Sequence, residues 1–422
     1  MAPLKDTDPP DRATAAAAMA AAVARRSRGR LVAFLAARSR DIAAAEDALS
    51  EALAAALAHW PGDGVPDNPE AWLLTAARRK LIDTARRHST QAEAAEELLV
   101  LAQPGFAEGA PPAIPDDRLR LLFACAHPGI APAVRAPLML QTVMGLDAAA
   151  IAQAFRVSPT TMGQRLVRGK ARIREAGIPF RVPDTQELPE RLDAVLAAVY
   201  AAYSEGWCDP AGAQAQRRSL AEEALWLARL IAALLPDQPE ALGLLALLLY
   251  LDSRRNARRS AAGEFVPLTE QDTARWDAAQ IDEAEALLRR AAAFGRPGRY
   301  QLEAAVQSAH ARPRGGNGAD WPAIVRLYDA LHRLTGSPVV AINRAVALAR
   351  TSGAAAGLQA LQAVANDPRV TDYQPFWAAK ADLLAQDGRT GPAHDAYQQA
   401  IGLEIDPVVR RFLQLRCAAL GR

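Results

Sequence analysis

Residues 151–166 have the apolar spacing of two short helices joined by a tight turn. Ile151 and Phe155 lie four positions apart, as do Met162 and Leu166, so each pair occupies one face of a helix. Two helix faces that follow each other so closely are well placed to bury their apolar residues against one another. The pattern therefore predicts a helix-turn-helix unit.

The second of these helices has a clear start and a polar exposed face. Ser158 suits the N-cap position, and Pro159 suits the first helical position. Hydroxyl, amide, guanidinium and ammonium groups then follow, and these can contact base edges or phosphates of DNA. The candidate DNA-binding residues of this helix are Thr160, Thr161, Gln164, Arg165, Arg168 and Lys170.

Positive charge is concentrated around this unit. The whole chain has a formal net charge of +2, but residues 118–176 contain nine Arg or Lys against two acidic residues. A compact basic segment of this kind is typical of a module that binds a polyanion.

Two amphipathic helices are predicted upstream. The first runs from Asp41 to about His59, with an apolar stripe that should leave Glu46, Asp47 and Glu51 exposed. The second begins at Asn68-Pro69 and reaches about Arg87, and it is strongly basic. Its candidate DNA-binding residues are Arg78, Arg79, Lys80, Arg86 and Arg87. The basic helix again indicates polyanion binding.

Composition predicts an all-α fold and limits the functional classes. Half of the residues are hydrophobic and only 5% are aromatic, and long stretches lack the alternation that strands need. The three cysteines and six histidines lack metal-ligand spacing, which predicts no metal site and suits a reducing cytoplasm. We expect no cofactor and no membrane span, and we find no constellation of catalytic residues, so an enzyme is disfavoured.

Proline and glycine clusters divide the chain. We predict a disordered or frayed N-terminus over residues 1–26, a helical domain over 27–88 and a linker over 89–115. A helix-turn-helix domain should follow over 116–177, and a helical-repeat extension over 188–422.

The extension contains a spacing similar to that of a tetratricopeptide repeat. Small and large apolar residues recur between Tyr373 and Pro407, and Asp387-Gly388 would form the turn between two helices. The residues that carry the pattern are Trp377, Ala381, Leu384, Ala393, Tyr397 and Ala400. Such arrays present a concave surface to a protein or peptide, so a partner of that kind is possible here.

Three segments, in this order, resemble the extracytoplasmic-function (ECF) sigma factors of RNA polymerase. Residues 45–52 (AEDALSEA) resemble the acidic signature of sigma region two, and residues 71–87 (AWLLTAARRKLIDTARR) resemble the helix that follows it. Residues 161–169 (TMGQRLVRG) resemble the recognition helix of sigma region four. The overall layout resembles the ECF subgroup that carries a tetratricopeptide-like domain behind region four.

The resemblance implies a role for each set of residues. Glu46, Asp47 and Glu51 would dock on core RNA polymerase. The basic residues between Arg78 and Arg87 would hold and help to melt the minus-ten promoter element. The helix after Ser158 would read the minus-thirty-five element.

Three functions remain to be compared at this point. The first is a sigma factor regulated in cis by its helical-repeat extension. The second is a stand-alone helix-turn-helix regulator that senses a ligand or protein, and the third is a repeat scaffold that binds no DNA. An acidic docking helix and a basic helix upstream of the helix-turn-helix favour the first, because a stand-alone regulator has no need of them.

Overall fold

The computed structural model describes residues 12–88, 117–155, 157–184, 186–207, 215–311 and 319–420. Within these ranges the chain is α-helical without any β-strand, and its one isolated β-bridge joins Arg259 to Phe265. The prediction of an all-α fold is confirmed. In the same ranges, no helix has the length and apolar character that crossing a membrane requires.

The chain divides into two compact units, Met1–Ala202 and Tyr203–Arg422. The first unit contains α1 (Arg12–Ser39), α2 (Ile42–Asp63), α3 (Pro69–His88), α4 (Arg118–Cys125), α5 (Pro132–Thr142), α6 (Ala148–Ala154) and α7 (Pro159–Glu175). The next helix, α8 (Leu188–Trp207), contributes residues to both units. The first unit thus extends past residue 177, where the sequence predicted the end of the helix-turn-helix domain.

The second unit is a succession of helices. After α8 come α9 (Ala215–Leu234), α10 (Pro239–Ser253), α11 (Ala278–Ala292), α12 (Arg299–Ala311) and α13 (Trp321–Thr335). The chain continues with α14 (Pro338–Ser352), α15 (Ala354–Gln362), α16 (Gln374–Gln386), α17 (Thr390–Leu403) and α18 (Pro407–Ala419).

Helix α1 begins at Arg12, inside the range that the sequence predicted as disordered or frayed. Its apolar residues Leu31, Val32 and Leu35 are buried in the first unit. Burial of this face stabilises the helix. The alanine-rich first part of α1 also favours a helix, because alanine has the highest helix propensity. The predicted frayed segment is therefore wrong for residues 12–26, and residues 1–11 lie outside the described ranges.

Helices α2 and α3 form the rest of the N-terminal core. Ile42, Leu49 and Trp60 of α2 are buried, whereas Leu57 is half exposed. The ring of Trp72 meets that of Trp60 edge-on, with centroids 5.5 Å apart. Trp72 thus packs as an anchor between α2 and α3.

Helices α16 and α17 form the hairpin that the repeat-like spacing predicted. Gly388 has a φ of 75°, a left-handed conformation that favours glycine in the turn between the helices. One apolar cluster joins the hairpin to α18, with Trp377 packed against it. Its buried members are Ala381, Leu384, Ala393, Ala396, Tyr397, Ala400, Leu413 and Cys417.

Candidate functional site

The predicted helix-turn-helix residues lie on α6 and α7. Ile151, Met162 and Leu166 are buried, as the four-residue spacing predicted. The Ser158 side chain accepts a hydrogen bond of 3.2 Å from the backbone N–H of Thr161, so the predicted N-cap is confirmed. The cap fixes where α7 begins and therefore which residues it exposes.

The polar face of α7 is largely open. Thr160, Gln164 and Arg168 are exposed, and Thr161 and Arg165 are half-buried. Arg168 donates through Nε to the backbone carbonyl of Gln164 at 3.3 Å. This face presents donors and acceptors at helical spacing, which is what contact with a DNA groove requires.

Lys170, further along α7, lies in a different environment. Its Nζ is 2.5 Å from Oε2 of Glu46, and only 13% of the lysine side chain and 14% of the glutamate side chain are exposed. Lys170 was predicted to contact DNA and Glu46 was expected to be exposed. The expected exposure of Glu46 is wrong, because a partner 124 positions away in the sequence covers it.

The other acidic residues of α2 are accessible. Asp47 and Glu51 are exposed, and Glu51 also forms an ion pair with Lys80 of α3. Asp41 precedes α2 as its N-cap and accepts from the N–H of Ala44 at 3.1 Å. The acidic face of α2 therefore has two exposed carboxylates, Asp47 and Glu51.

The basic residues of α3 are only partly described. Arg79 is exposed, while Arg78 and Lys80 are half-buried. Arg86 and Arg87 belong to the helix, but their side chains lie outside the described part of the chain. The predicted linker over 89–115 also lies outside the described residues.

Cys125 lies in the core of the first unit, close to the Glu46–Lys170 pair. Burial raises the pKa of its thiol to about 12, and its sulfur lies 3.7 Å from the hydroxyl of Thr142. A thiol with so high a pKa is almost entirely protonated near pH 7, so it acts as a small apolar core residue.

Arg191, near the start of α8, was not identified from the sequence. Its side chain is buried, and it donates from Nε and Nη2 to the backbone carbonyl of Phe123 in the last turn of α4, at 3.2 and 2.5 Å. Glu187 pairs with the same guanidinium at 3.2 Å, one helical turn earlier. The sequence shows the i,i+4 spacing of Glu187 and Arg191. It does not show the contact between Arg191 and Phe123, because 68 positions separate these two residues.

Comparison with known proteins gives a family match that covers most of α1 and all of α2 and α3. The family model "Sigma-70 region 2" matches residues 23–91, which include the acidic face of α2 and the basic residues of α3. The chain therefore contains a domain that matches region two of the sigma-70 family. Region two of this family implies binding to core RNA polymerase and promoter DNA, and a role in transcription initiation of the sigma-factor kind.

The chain also has a relative of similar length. It is 38% identical over 382 residues to "Uncharacterized protein R00370" of Rhizobium meliloti (strain 1021), a match that covers 89% of this chain and 90% of that protein. A second family model, described as "Family of unknown function (DUF6596)", matches residues 191–292. No solved structure is significantly similar to this chain.

Proposed function

We propose that this chain is a member of the sigma-70 family, an ECF-type promoter-specificity subunit that binds core RNA polymerase and directs it to its own set of promoters. The observation that carries the proposal is the region-two match over residues 23–91, since it includes both an acidic and a basic helix face. The exposed carboxylates of α2 support polymerase docking, and the polar face of α7 supports promoter reading.

Docking on polymerase rests on Asp47 and Glu51, because both carboxylates are exposed in this conformation. They lie beside buried apolar residues that fix the helix to α1 and α3. Glu46 belongs to the same proposed surface but is paired with Lys170 here.

Promoter contact is divided between two helices in this proposal. Arg78, Arg79 and Lys80 of α3, with Arg86 and Arg87, hold and help to melt the minus-ten element. The helix-turn-helix formed by α6 and α7 reads the minus-thirty-five element through Thr160, Thr161, Gln164 and Arg165. Arg168 and Lys170 contact the DNA backbone, where a positive charge favours all sequences alike.

The helical-repeat extension regulates the region-two and helix-turn-helix domains in cis, and it offers a surface to a protein or peptide partner. Helix α8 supports cis regulation, because it supplies Arg191 to the first unit and Tyr203 to the second. A groove of about 800 Å³ between α15, α16 and α17 supports partner binding, since Leu358, Trp377 and Lys380 line it.

Size-exclusion chromatography with core RNA polymerase tests the docking proposal. The wild-type chain should co-elute with the core enzyme, and the double variant Asp47→Lys and Glu51→Lys should co-elute much less. The matched control is Asp63→Lys with Asp67→Lys, which reverses two exposed carboxylates at the far end of α2 and after it. Equal co-elution of both double variants would contradict the docking assignment.

Cis regulation is tested by comparing the full chain with a fragment that ends at Ala202, the boundary of the first unit. A fragment that ends at Gly177 would lack Arg191 and lose its contact with Phe123. The change in promoter-specific transcription should be strong and in one direction. Equal transcription by both proteins would show that the extension is an independent module.

A further inference from the structure

A long connection between α10 and α11 is built from short 3₁₀ turns. It leaves α10 after Ser253 and returns at Asp277, whose backbone N–H donates to the carbonyl of Ser253 at 2.8 Å. Connections longer than about 15 residues without α-helix or strand are uncommon in compact domains, and the ordered ones usually have a function of their own. Residues 254–277 are called the strap below.

Hydrogen bonds within the strap give it a defined shape. An isolated β-bridge joins Arg259 to Phe265, and Gly263 between them has a φ of 80°, which turns the chain back on itself. The guanidinium of Arg275 donates to the backbone carbonyl of Arg259 at 3.0 Å and also to that of Asn256. The strap therefore holds Arg259 and Phe265 beside each other.

The first two contacts of the strap with the last helix, α18, lie at the start and in the middle of that helix. Nη2 of Arg259 lies 3.1 Å from Oδ2 of Asp406, and these side chains are only 26% and 15% exposed. Asp406 uses its other oxygen as the N-cap of α18, where it accepts from the N–H of Val408 at 2.9 Å. The ring of Phe265 meets that of Phe412 edge-on, with centroids 5.3 Å apart, which is a favoured geometry for aromatic pairs.

The third contact lies near the end of α18. Arg416 donates to Oε1 of Glu270 at 2.7 Å, and its guanidinium lies over the ring of Phe412, 5.3 Å from the centroid. Both charged side chains are about half exposed, so water screens this ion pair, and the aromatic pair should contribute more. The strap thus follows α18 from its N-cap to its last turns.

These contacts join parts of the second unit that a simple helical array would keep apart. In such an array each repeat packs against its neighbours alone. The strap follows α10, whereas α18 is the last helix of the unit, and Arg259 and Asp406 are 147 positions apart. Helix α18 also packs in the apolar cluster that it shares with α16 and α17. The strap therefore gives the last helix a second set of contacts, from a distant part of the chain.

We propose that the strap closes the second unit on its last helix, and that α18 is released towards solvent when the strap opens. This inference concerns the second unit alone and does not rest on the proposed function. The strap lies inside residues 191–292, the match to the family of unknown function. The inference gives this part of the chain a task, which is to hold the C-terminal helix in place. Opening of the strap removes the cover that Phe265 provides to Phe412.

Phe265→Ala tests the aromatic contact in the full-length protein by hydrogen exchange. An aromatic pair of this geometry corresponds to about a two- to tenfold change in an equilibrium constant. The amides of α18 should therefore exchange about two- to tenfold faster, while those of α10 keep the wild-type rate. The matched control is Phe294→Ala, which removes another partly buried phenylalanine, after α11. This control should leave the exchange of α18 unchanged.

A charge-reversal cycle tests the ion pair between Glu270 and Arg416. Arg416→Glu alone should speed exchange of α18, because it breaks this pair and places a negative charge near the C-terminal end of the helix. In the Glu270→Lys background the same change restores an ion pair, so its effect should be about twofold smaller. Glu264→Lys reverses an exposed charge of the same strap and is the matched control. In that background Arg416→Glu should keep its full effect.

Each measurement decides for or against the strap. Wild-type exchange of α18 in Phe265→Ala would overturn the proposal. An equal acceleration of α10 and α18 would do so too, because the segment would then support the whole second unit and not its last helix. Equal effects of Arg416→Glu in the three backgrounds would also overturn it, since the strap would then not reach the last turns of α18.

Discussion

Arg191 holds the carbonyl oxygen of Phe123 with two hydrogen bonds from its buried guanidinium. Phe123 lies in the last turn of α4, where helix geometry leaves carbonyl groups without a partner in the helix. Arg191 is also the first residue of the DUF6596 match. The matched region of unknown function thus begins with a residue that completes the core of the first unit.

The first prediction follows from this contact. Arg191→Met should destabilise α4 by about 1–3 kcal/mol, because it leaves a buried carbonyl without its donors. Hydrogen exchange of the α4 amides in the full chain measures the change. Arg181→Met, at an exposed residue that pairs with the same Glu187, should leave α4 exchange unchanged. Equal exchange in the two variants would contradict the role assigned to Arg191.

Two glycines of α7 provide the second prediction. Gly163 has no atom of the described residues within 4 Å of an added Cβ, so Gly163→Ala should stabilise the helix by about 0.5–1 kcal/mol. A Cβ on Gly169 would lie 2.9 Å from Cγ1 of Val134 on α5, so Gly169→Ala should be less stable than Gly163→Ala. Thermal unfolding of the two variants gives the comparison. A larger gain at Gly169 would contradict the packing of α7 on α5.

The third prediction concerns the pH dependence of the second unit. Burial, with the positive charge of Arg254 as a smaller cause, lowers the pKa of His310 to about 4. The unfolded chain, with a histidine pKa near 6.5, therefore takes up this proton first as the pH falls. The contribution of His310 to stability should be complete above pH 6.5 and decrease by about 3 kcal/mol towards pH 4.

His310→Phe isolates this effect, because it removes the titrating group and keeps a ring against Trp321, whose centroid lies 5.4 Å from that of His310. Thermal unfolding between pH 4 and 7 should be less pH-dependent in the variant than in the wild type. Parallel curves for the two proteins would show that His310 is not the source.

The sequence predicted local features better than contacts between distant residues. Ser158, Thr161 and the buried residues of α6 and α7 lie within one short segment, so helix periodicity and capping preferences were enough to place them. Glu46 and Arg191 depend on partners 124 and 68 positions away, and amphipathic patterns contain no information on such partners. The start of α1 at Arg12 was missed because an alanine-rich segment with scattered charge does not show which face is buried.

The fourth prediction separates base reading from backbone contact on α7. Arg165→Ala should cost about 1–3 kcal/mol at one base pair of the minus-thirty-five element and little elsewhere. Arg168→Ala should weaken binding to all promoters alike. It should also reduce the slope of log affinity against log salt concentration by about one, which corresponds to the loss of one phosphate contact. Arg168 is a better probe of phosphate contact than Lys170, because the side chain of Lys170 is paired with Glu46 and largely covered. Binding of a promoter library by the polymerase complex of each variant measures both effects. An equal loss of binding to every promoter in Arg165→Ala would show that Arg165 contacts the DNA backbone and not a base.

The most direct test of the proposed function is transcription from a promoter library by core RNA polymerase, with and without the full-length protein. If the chain is a promoter-specificity subunit, adding it should start transcription at a defined subset of promoters that share a minus-thirty-five and a minus-ten element. The Asp47→Lys and Glu51→Lys double variant should lose this activity, and the Asp63→Lys and Asp67→Lys control should keep it. Identical transcripts with and without the wild-type protein would contradict the proposal that this chain is a promoter-specificity subunit.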